Sequence, residues 1–156
     1  MITMQTTKID QYATDENTND ADDTLIALHN RSVDALTGFA KMVEKAEPSF
    51  RSVPEEFRAL HARQTDRIAR ILAERGCEVD PNGTFMGTVN VAVVSLRALF
   101  DTIDEGVMAN IRSGERSVLA AFDDALAANL DATTKMALTE MRTDLSALLD
   151  RTSHLD

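Results

Sequence analysis

The sequence contains few cysteine, proline, glycine and aromatic residues, and each shortage excludes a class of structure. A single cysteine in 156 residues excludes an internal disulfide and a metal site built from several cysteines. With only three prolines and six glycines, few residues are present that stop a helix. The N-terminus lacks the charged and apolar regions of a signal peptide, and no apolar run approaches the roughly 20 residues that span a bilayer. We therefore expect a cytoplasmic protein without membrane insertion.

Basic residues are also scarce. The chain has 16 Lys and Arg residues against 26 Asp and Glu residues, a formal net charge of -10. Because phosphate binding needs clustered lysines and arginines, we expect no nucleic-acid partner. The acidic excess is concentrated near the N-terminus, where residues 14–23 show no hydrophobic periodicity. The composition therefore predicts a disordered acidic tail over residues 1–21 and one domain over residues 22–156.

The first two long helices of that domain have recognisable ends. Apolar residues three and four apart predict a helix from Asp23 to Glu47, where the following proline disfavours helical backbone. A second helix is predicted to begin at Ser52, because Ser52 and Glu55 have the spacing of a capping box. Gly76 is suited to end it, since glycine accepts the left-handed conformation that follows many helices.

The second half of the domain adds two more long helices. Residues 85–100 carry Arg97 as their single charge, and we interpret this run as a short buried helix. Thr102 and Glu105 have capping-box spacing for a third long helix, and Asp131 is predicted to cap the fourth. Because the loops are short, neighbouring helices should be antiparallel. The sequence thus predicts an all-α, antiparallel four-helix bundle with one extra short helix between the second and third long helices.

Helical-wheel projection places several polar side chains on apolar faces. His29 falls on the apolar face of the first helix, whereas Asp34 falls opposite and is expected to be solvated. His61 and Gln64 share the apolar stripe of the second helix, and Glu115 lies on that of the third. Two imidazoles and a carboxylate suit zinc or iron, so His29, His61 and Glu115 are candidate metal ligands.

Other features of the sequence argue against a metal site. A di-iron bundle uses Glu-x-x-His motifs, whereas Arg58 stands three residues before His61. The alternative is that the histidines are packed in the core and that Glu115 pairs with Arg63 or Arg67. Cys77 lies between Glu74 and Glu78, whose charges should raise the pKa of its thiol.

Four segments together resemble a known family. Gly114-Glu115 followed by Ala121 to Leu126 is similar to the Gly-Glu, aromatic, acidic-acidic-Ala-Leu segment of bacterial ferritin-like four-helix-bundle proteins classed under domain of unknown function 2383. Three further segments agree in order, namely residues 25–39, 76–87 and 145–150. The resemblance implies a ferritin-like bundle over residues 22–152 without implying ferritin activity. Where relatives carry a histidine and a glutamate, this chain has Leu149 and Thr37, so two further ligands are missing.

Three functions follow as hypotheses. The first is a non-enzymatic bundle protein without a cofactor that forms homo-oligomers, with a stress-related role and an unknown protein partner. The charge-poor residues 85–100 suggest the self-association, because a helix that is apolar nearly all round must be covered by its own bundle or by another subunit. The second is an iron-, zinc- or manganese-binding oxidoreductase or storage protein with an incomplete ligand set. The third is a bundle that binds an apolar ligand such as a lipid or haem, which the dispersed methionines and alanines would accommodate.

Overall fold

The computed structural model describes residues 3–79 and 103–155, with side chains described from Thr18 onward. Its helices are α1 (Thr3–Lys45), α2 (Ser52–Glu74), a 3-10 turn (Glu105–Val107), α3 (Met108–Ala127) and α4 (Ala132–Arg151). Within these residues the only β-type pairing is an isolated bridge between Ala46 and Ile103. The all-α prediction with four long helices is therefore confirmed. The short helix predicted over residues 85–100 lies outside the described ranges.

The predicted start of the first helix at Asp23 is wrong, because α1 begins at Thr3. Neither proline nor glycine occurs between Thr3 and Thr37, and an established helix gains one hydrogen bond with each residue added. Of the residues assigned to a tail, those from Thr3 onward therefore form the first part of α1. Ala21 is the first core residue among the described side chains, and the domain boundary at residue 22 stays a prediction.

α1 and α2 form an antiparallel hairpin. Near one end, Arg75 Nε lies 2.5 Å from Asp22 Oδ1. Toward the other end, the rings of Phe39 and Phe57 stack with their centroids 4.9 Å apart. These two contacts fix the register between the helices, so that each residue of α2 has a defined neighbour on α1.

The ends of α2 confirm one prediction and correct another. Gly76 follows the helix with a φ of 81°, in the left-handed region that glycine adopts easily. The predicted capping box at Ser52 does not form, because the N-cap residue is Arg51 and it has helical backbone angles without a side-chain cap. The helix continues directly from the turn over residues 47–51, where the Arg51 amide donates to the Glu47 carbonyl.

Side chains cap the starts of α4 and of the 3-10 turn that leads into α3. Asp131 caps α4 as predicted, since its Oδ2 accepts a hydrogen bond from the Thr134 amide at 3.0 Å. The segment before α3 is capped differently from the prediction: Asp104 Oδ1 accepts from the Gly106 amide at 2.9 Å. Thr102, the predicted capping residue, lies outside the described residues.

A long connection separates α2 from α3. α2 ends beside Asp22, whereas the segment that leads into α3 lies at the opposite end of α1, where the Glu47 amide donates to the Ile103 carbonyl at 2.9 Å. The two described ends of this connection are therefore separated by about the length of α2, which is about 34 Å for 23 residues. Both α2 and α3 are antiparallel to α1, so they are parallel to each other.

Each helix packs against two neighbours around a square, in the order α1, α2, α4, α3. α4 is joined to α3 by Arg142 and Asp123, with Nε 2.7 Å from Oδ1, and to α2 by Arg151 and Glu56 at 3.5 Å. The largest buried apolar side chains at the centre are Leu25, Leu28, Phe57, Ile68, Leu72, Met108, Phe122, Leu138, Met141, Leu145 and Leu148. Among the described helices, none combines the length and the apolar character needed to cross a membrane.

Candidate functional site

The centre of the core contains a hydrogen-bonded pair formed by His61 and Glu115. His61 Nε2 lies 3.1 Å from Glu115 Oε1 and 3.0 Å from Oε2. The two side chains are 0% and 2% exposed. Each faces inward because of its spacing: His61 lies four residues after Phe57, and Glu115 lies four residues after Ile111 on the same buried face. The prediction that both residues point into the core is confirmed.

This pair connects helices at opposite corners of the square. His61 belongs to α2 and Glu115 to α3, and these helices are not direct neighbours in the packing order. A hydrogen bond between an imidazole and a carboxylate is strong in a medium of low dielectric constant, and a single buried partner left alone is costly. The pair therefore fixes how α2 and α3 face each other across the core.

The predicted partners of Glu115 were wrong. Arg63 is exposed, and Arg67 lies at the surface, where its guanidinium is 3.5 Å from Glu140. An arginine remains charged at any ordinary pH and is well hydrated at the edge of a helix, whereas a histidine can enter the core. Helical spacing indicated that Glu115 is buried but gave no information about its partner on another helix.

Aromatic rings hold the imidazole in place. The rings of Phe39 and His61 stack with centroids 5.5 Å apart and an interplanar angle of 13°. Phe39 stacks in turn on Phe57, so His61 stands at the end of a row of three rings. Because Nε2 faces Glu115, the other nitrogen, Nδ1, is left buried and without a hydrogen-bond partner within the described part of the chain.

One turn further along α2, Gln64 and Thr65 continue the polar face. Gln64 Nε2 donates to the main-chain carbonyl of Met141 on α4 at 2.7 Å. Gln64 Oε1 and Thr65 Oγ1 are buried and have no partner among the residues described. Through two polar side chains one turn apart, α2 thus contacts both α3 and α4.

The structure does not bring His29 together with His61 and Glu115. His29 is only 1% exposed, and burial lowers the pKa of its imidazole, with Asn30 opposing this to a smaller extent. The register of α1 and α2 places His29 opposite Ile68, about 11 Å along the helix axis from His61. Among residues 3–79 and 103–155, no three His, Cys, Asp or Glu side chains are grouped to hold a metal ion. A wheel gives the angle of a residue and not its height in the bundle.

The two positions at which the sequence resemblance implies a histidine and a glutamate in relatives contribute no ligand group. Leu149 packs partly buried against the core, and the hydroxyl of Thr37 donates to the Val33 carbonyl at 3.0 Å within α1. Asp34, predicted to be solvated, is half-buried, and burial raises the pKa of its carboxyl group. None of these side chains extends the His61–Glu115 pair.

Cys77 has the unreactive environment that the sequence predicts, for a different reason. Burial raises the pKa of the Cys77 thiol, and a hydrogen bond with Asp22 raises that pKa further. The sequence assigned this effect to Glu74 and Glu78. The neighbour that matters comes from α1, because the Arg75–Asp22 contact brings Asp22 beside the end of α2.

A surface groove runs between α1 and α3. It encloses about 450 Å³ and is lined by Asp23, Thr24, Ala27, Arg31, Ser117, Ala120, Ala121 and Asp124. Charged side chains stand among its small apolar residues, and the groove is open. It therefore does not provide the enclosed apolar walls that a lipid or haem would need.

Comparison with known proteins gives a family without a known activity. The family described as a domain of unknown function, DUF2383, matches residues 20–128, a range that contains His29, His61 and Glu115. No curated protein and no solved structure matches the chain. The match ends before residues 145–150, so the resemblance of that segment, like the ferritin-like affiliation, stays a prediction. The match extends from α1 to the end of α3, and on this evidence the chain belongs to the DUF2383 family.

Proposed function

We propose that this chain is a non-enzymatic four-helix-bundle protein that acts by contacts with other protein chains, including copies of itself. The observation that carries the proposal is the pairing of His61 with Glu115. Glu115 engages Nε2 of His61 with both of its carboxylate oxygens, so on this proposal the buried imidazole and carboxylate act in helix pairing rather than in chemistry on a substrate. A cytoplasmic location is part of the proposal, since a free cysteine such as Cys77 is ordinary in a reducing compartment.

A ferritin-like origin is the second part of the proposal. Its support is the connectivity, because ferritin-like bundles have one long crossover connection and this chain has one between α2 and α3. Thr37 and Leu149 occupy positions where the resemblance described in the sequence analysis implies ligands in relatives. On this proposal the chain has the ferritin-like framework and a function that needs no complete metal site.

Self-association rests on residues 85–100, whose single charged residue is Arg97. Within the described surface the one large exposed apolar side chain is Met136, at 73%, so that surface offers little apolar area for an interface. Light scattering coupled to size-exclusion chromatography at high micromolar concentration should give a dimer or larger assembly. Val93→Lys should shift it to monomer, whereas Met136→Lys, the matched control, should leave the assembly unchanged. A monomeric wild-type protein contradicts this part of the proposal.

Metal binding is the second candidate function, and one distance favours it. Two ligands that lie about 2.1 Å from one zinc ion are about 3.0–3.4 Å apart, depending on their angle, and His61 Nε2 lies 3.0 Å from Glu115 Oε2. The separation therefore suits a shared metal ion as well as a hydrogen bond. The site would need further ligands, because His29 is too far along the axis.

Elemental analysis of untagged protein separates the two functions. We expect iron, zinc and manganese well below one equivalent per chain. Near-stoichiometric metal that is lost in His61→Ala and in Glu115→Ala, and retained in the surface control His154→Ala, would establish the metal-binding alternative and overturn the non-enzymatic proposal.

A further inference from the structure

Five buried polar atoms lie on the inner faces of α1 and α2 without a hydrogen-bond partner among the described residues. They are His29 Nδ1, Ser32 Oγ, His61 Nδ1, Gln64 Oε1 and Thr65 Oγ1. Every one of these side chains is at least nine-tenths buried. α3 and α4 contribute no atom to this set, so the unpartnered groups are confined to one side of the bundle.

The register of the α1–α2 hairpin arranges these residues in a row. The contacts of Asp22 with Arg75 and of Phe39 with Phe57 place Ser32 opposite Thr65. His29 lies about one turn from Ser32 toward one end, and His61 about one turn from Thr65 toward the other. The row is about 11 Å long, and we call these five residues the polar strip.

The atoms of the polar strip need hydrogen-bond partners that a bound small molecule could provide. A buried donor or acceptor without a partner loses its hydration and gains nothing in return, and native proteins leave few such groups unsatisfied. Where side chains do not supply the partner, ordered water molecules with about three hydrogen bonds each commonly do so.

The hydrogen-bonding chemistry of the five atoms indicates which small molecule or ion fits the strip. Gln64 Oε1 can only accept a hydrogen bond, whereas the Ser32 and Thr65 hydroxyls can donate and accept. The two imidazole Nδ1 atoms accept when unprotonated and donate when protonated. A single metal ion needs its ligand atoms within about 2.6 Å of one point, whereas these residues are distributed over about 11 Å along the helices. An ammonium ion cannot accept a hydrogen bond from the two hydroxyls. Water can both donate and accept.

We propose that a chain of ordered water molecules occupies the polar strip and links His29 to the His61–Glu115 pair through Ser32, Gln64 and Thr65. The waters complete the hydrogen bonding of both imidazole rings. They make the α1–α2 side of the core a hydrated layer enclosed by apolar residues. This inference is independent of the proposed function, because it depends on the buried atoms and not on assembly or metal content.

The sign of one stability change tests the proposal. Thr65→Val keeps the shape of the side chain and removes its hydroxyl. If water is bonded to that hydroxyl, the water loses a partner, and the thermal midpoint should fall by about 2–4 °C. If the hydroxyl has no partner, its removal relieves an unfavourable burial and the midpoint should rise. A rise overturns the proposal. Thr143→Val, the same change at an exposed hydroxyl bonded within its own helix, is the matched control.

A measurement on the unaltered protein gives a second test that does not depend on any variant folding. Magnetisation transfer from water to the protein by NMR should give cross-peaks of long-lived water at the methyl group of Thr65 and at the amide protons near Ser32. The pattern should weaken at Ser32 in the Thr65→Val variant, because the two residues contact the same chain of waters. Absence of long-lived water at both residues in the wild-type protein overturns the proposal.

Discussion

The two sides of the bundle differ in what they bury. On the α1–α2 side, polar side chains alternate with apolar ones, and the buried polar residues are His29, Ser32, His61, Gln64 and Thr65. On the α3–α4 side, the buried residues within the helices are almost all apolar: Met108, Ile111, Val118, Phe122, Ala125, Leu138, Met141, Leu145 and Leu148. The exception is Glu115, which bonds across the core to α2.

Because of this difference, apolar packing and buried hydrogen bonds contribute differently to the stability of the bundle and to the choice of helix pairing. The apolar side is held by close packing, which stabilises any arrangement that fills the space. The buried polar groups of the α1–α2 side add less stability than apolar ones, because each must first lose its hydration. Their hydrogen bonds have fixed partners, and the His61–Glu115 bond forms only when α2 and α3 are correctly aligned. We infer that apolar packing, which both sides contribute, supplies most of the folding free energy, and that the buried polar groups of the α1–α2 side select the helix pairing.

The largest change should come from breaking that bond. Glu115→Ala leaves the His61 imidazole buried without its partner, and removal of one member of a buried imidazole–carboxylate pair should cost about 3–5 kcal/mol. Urea denaturation monitored by circular dichroism at pH 7 measures this loss as a change in the free energy of unfolding.

The matched control replaces both partners. His61→Leu combined with Glu115→Leu removes the pair without leaving a polar group alone, so the double variant should be at least as stable as the wild type and up to about 4 kcal/mol more stable. If the bond selects the helix pairing, the double variant should adopt more than one arrangement of its helices. A double variant as unstable as Glu115→Ala contradicts the distinction between the two sides.

On the apolar side, one leucine provides the next largest effect. Leu145 is fully buried, and Leu145→Ala should cost about 2–5 kcal/mol through lost apolar contact and the cavity that remains. Leu149→Ala, one turn away and only partly buried, is the control and should cost less. The same urea titration measures both, and equal losses at the two positions would show that burial does not control stability on this side.

The sequence predicted the directions of side chains better than their partners. Helical spacing placed His29, His61, Gln64 and Glu115 on apolar faces, and all four are buried, because a residue's angle about a helix follows from its number. The height at which helices pair is set by loops and by contacts between helices distant in sequence. The wheel therefore grouped His29 with His61 as ligands, although they are about 11 Å apart along the axis.

Helix ends show the same division between local and distant causes. Gly76 and Asp131 were predicted as end signals and act as such, since each depends on backbone within a few residues. The first helix was predicted to start at Asp23 because the preceding residues are acidic and polar. That composition describes how little apolar surface a segment can bury, whereas helix formation also depends on the absence of proline and glycine.

The smallest expected effect is a dependence of the stability on pH that comes from His29, a residue of the polar side. Burial holds the pKa of His29 below its ordinary value, so in the folded protein the imidazole resists protonation. The unfolded chain therefore binds a proton at this residue more readily, near pH 6.5. The stability associated with neutral His29 should be fully present above about pH 6.5 and decrease as the pH falls toward the lower pKa of the folded state. Urea midpoints at pH 7.5 and pH 5.5 measure this decrease.

The control isolates His29 from the many carboxylates that also titrate. His29→Gln keeps a polar side chain that does not titrate in this range, so its urea midpoint should change less between pH 7.5 and pH 5.5 than that of the wild type. Leu145→Ala leaves every titratable group in place and should shift the midpoint equally at both pH values. If His29→Gln retains the full wild-type pH dependence, burial of His29 is not its source. The loss of stability at low pH would then come from other titratable groups. The polar side would differ from the apolar side only in selecting the helix pairing.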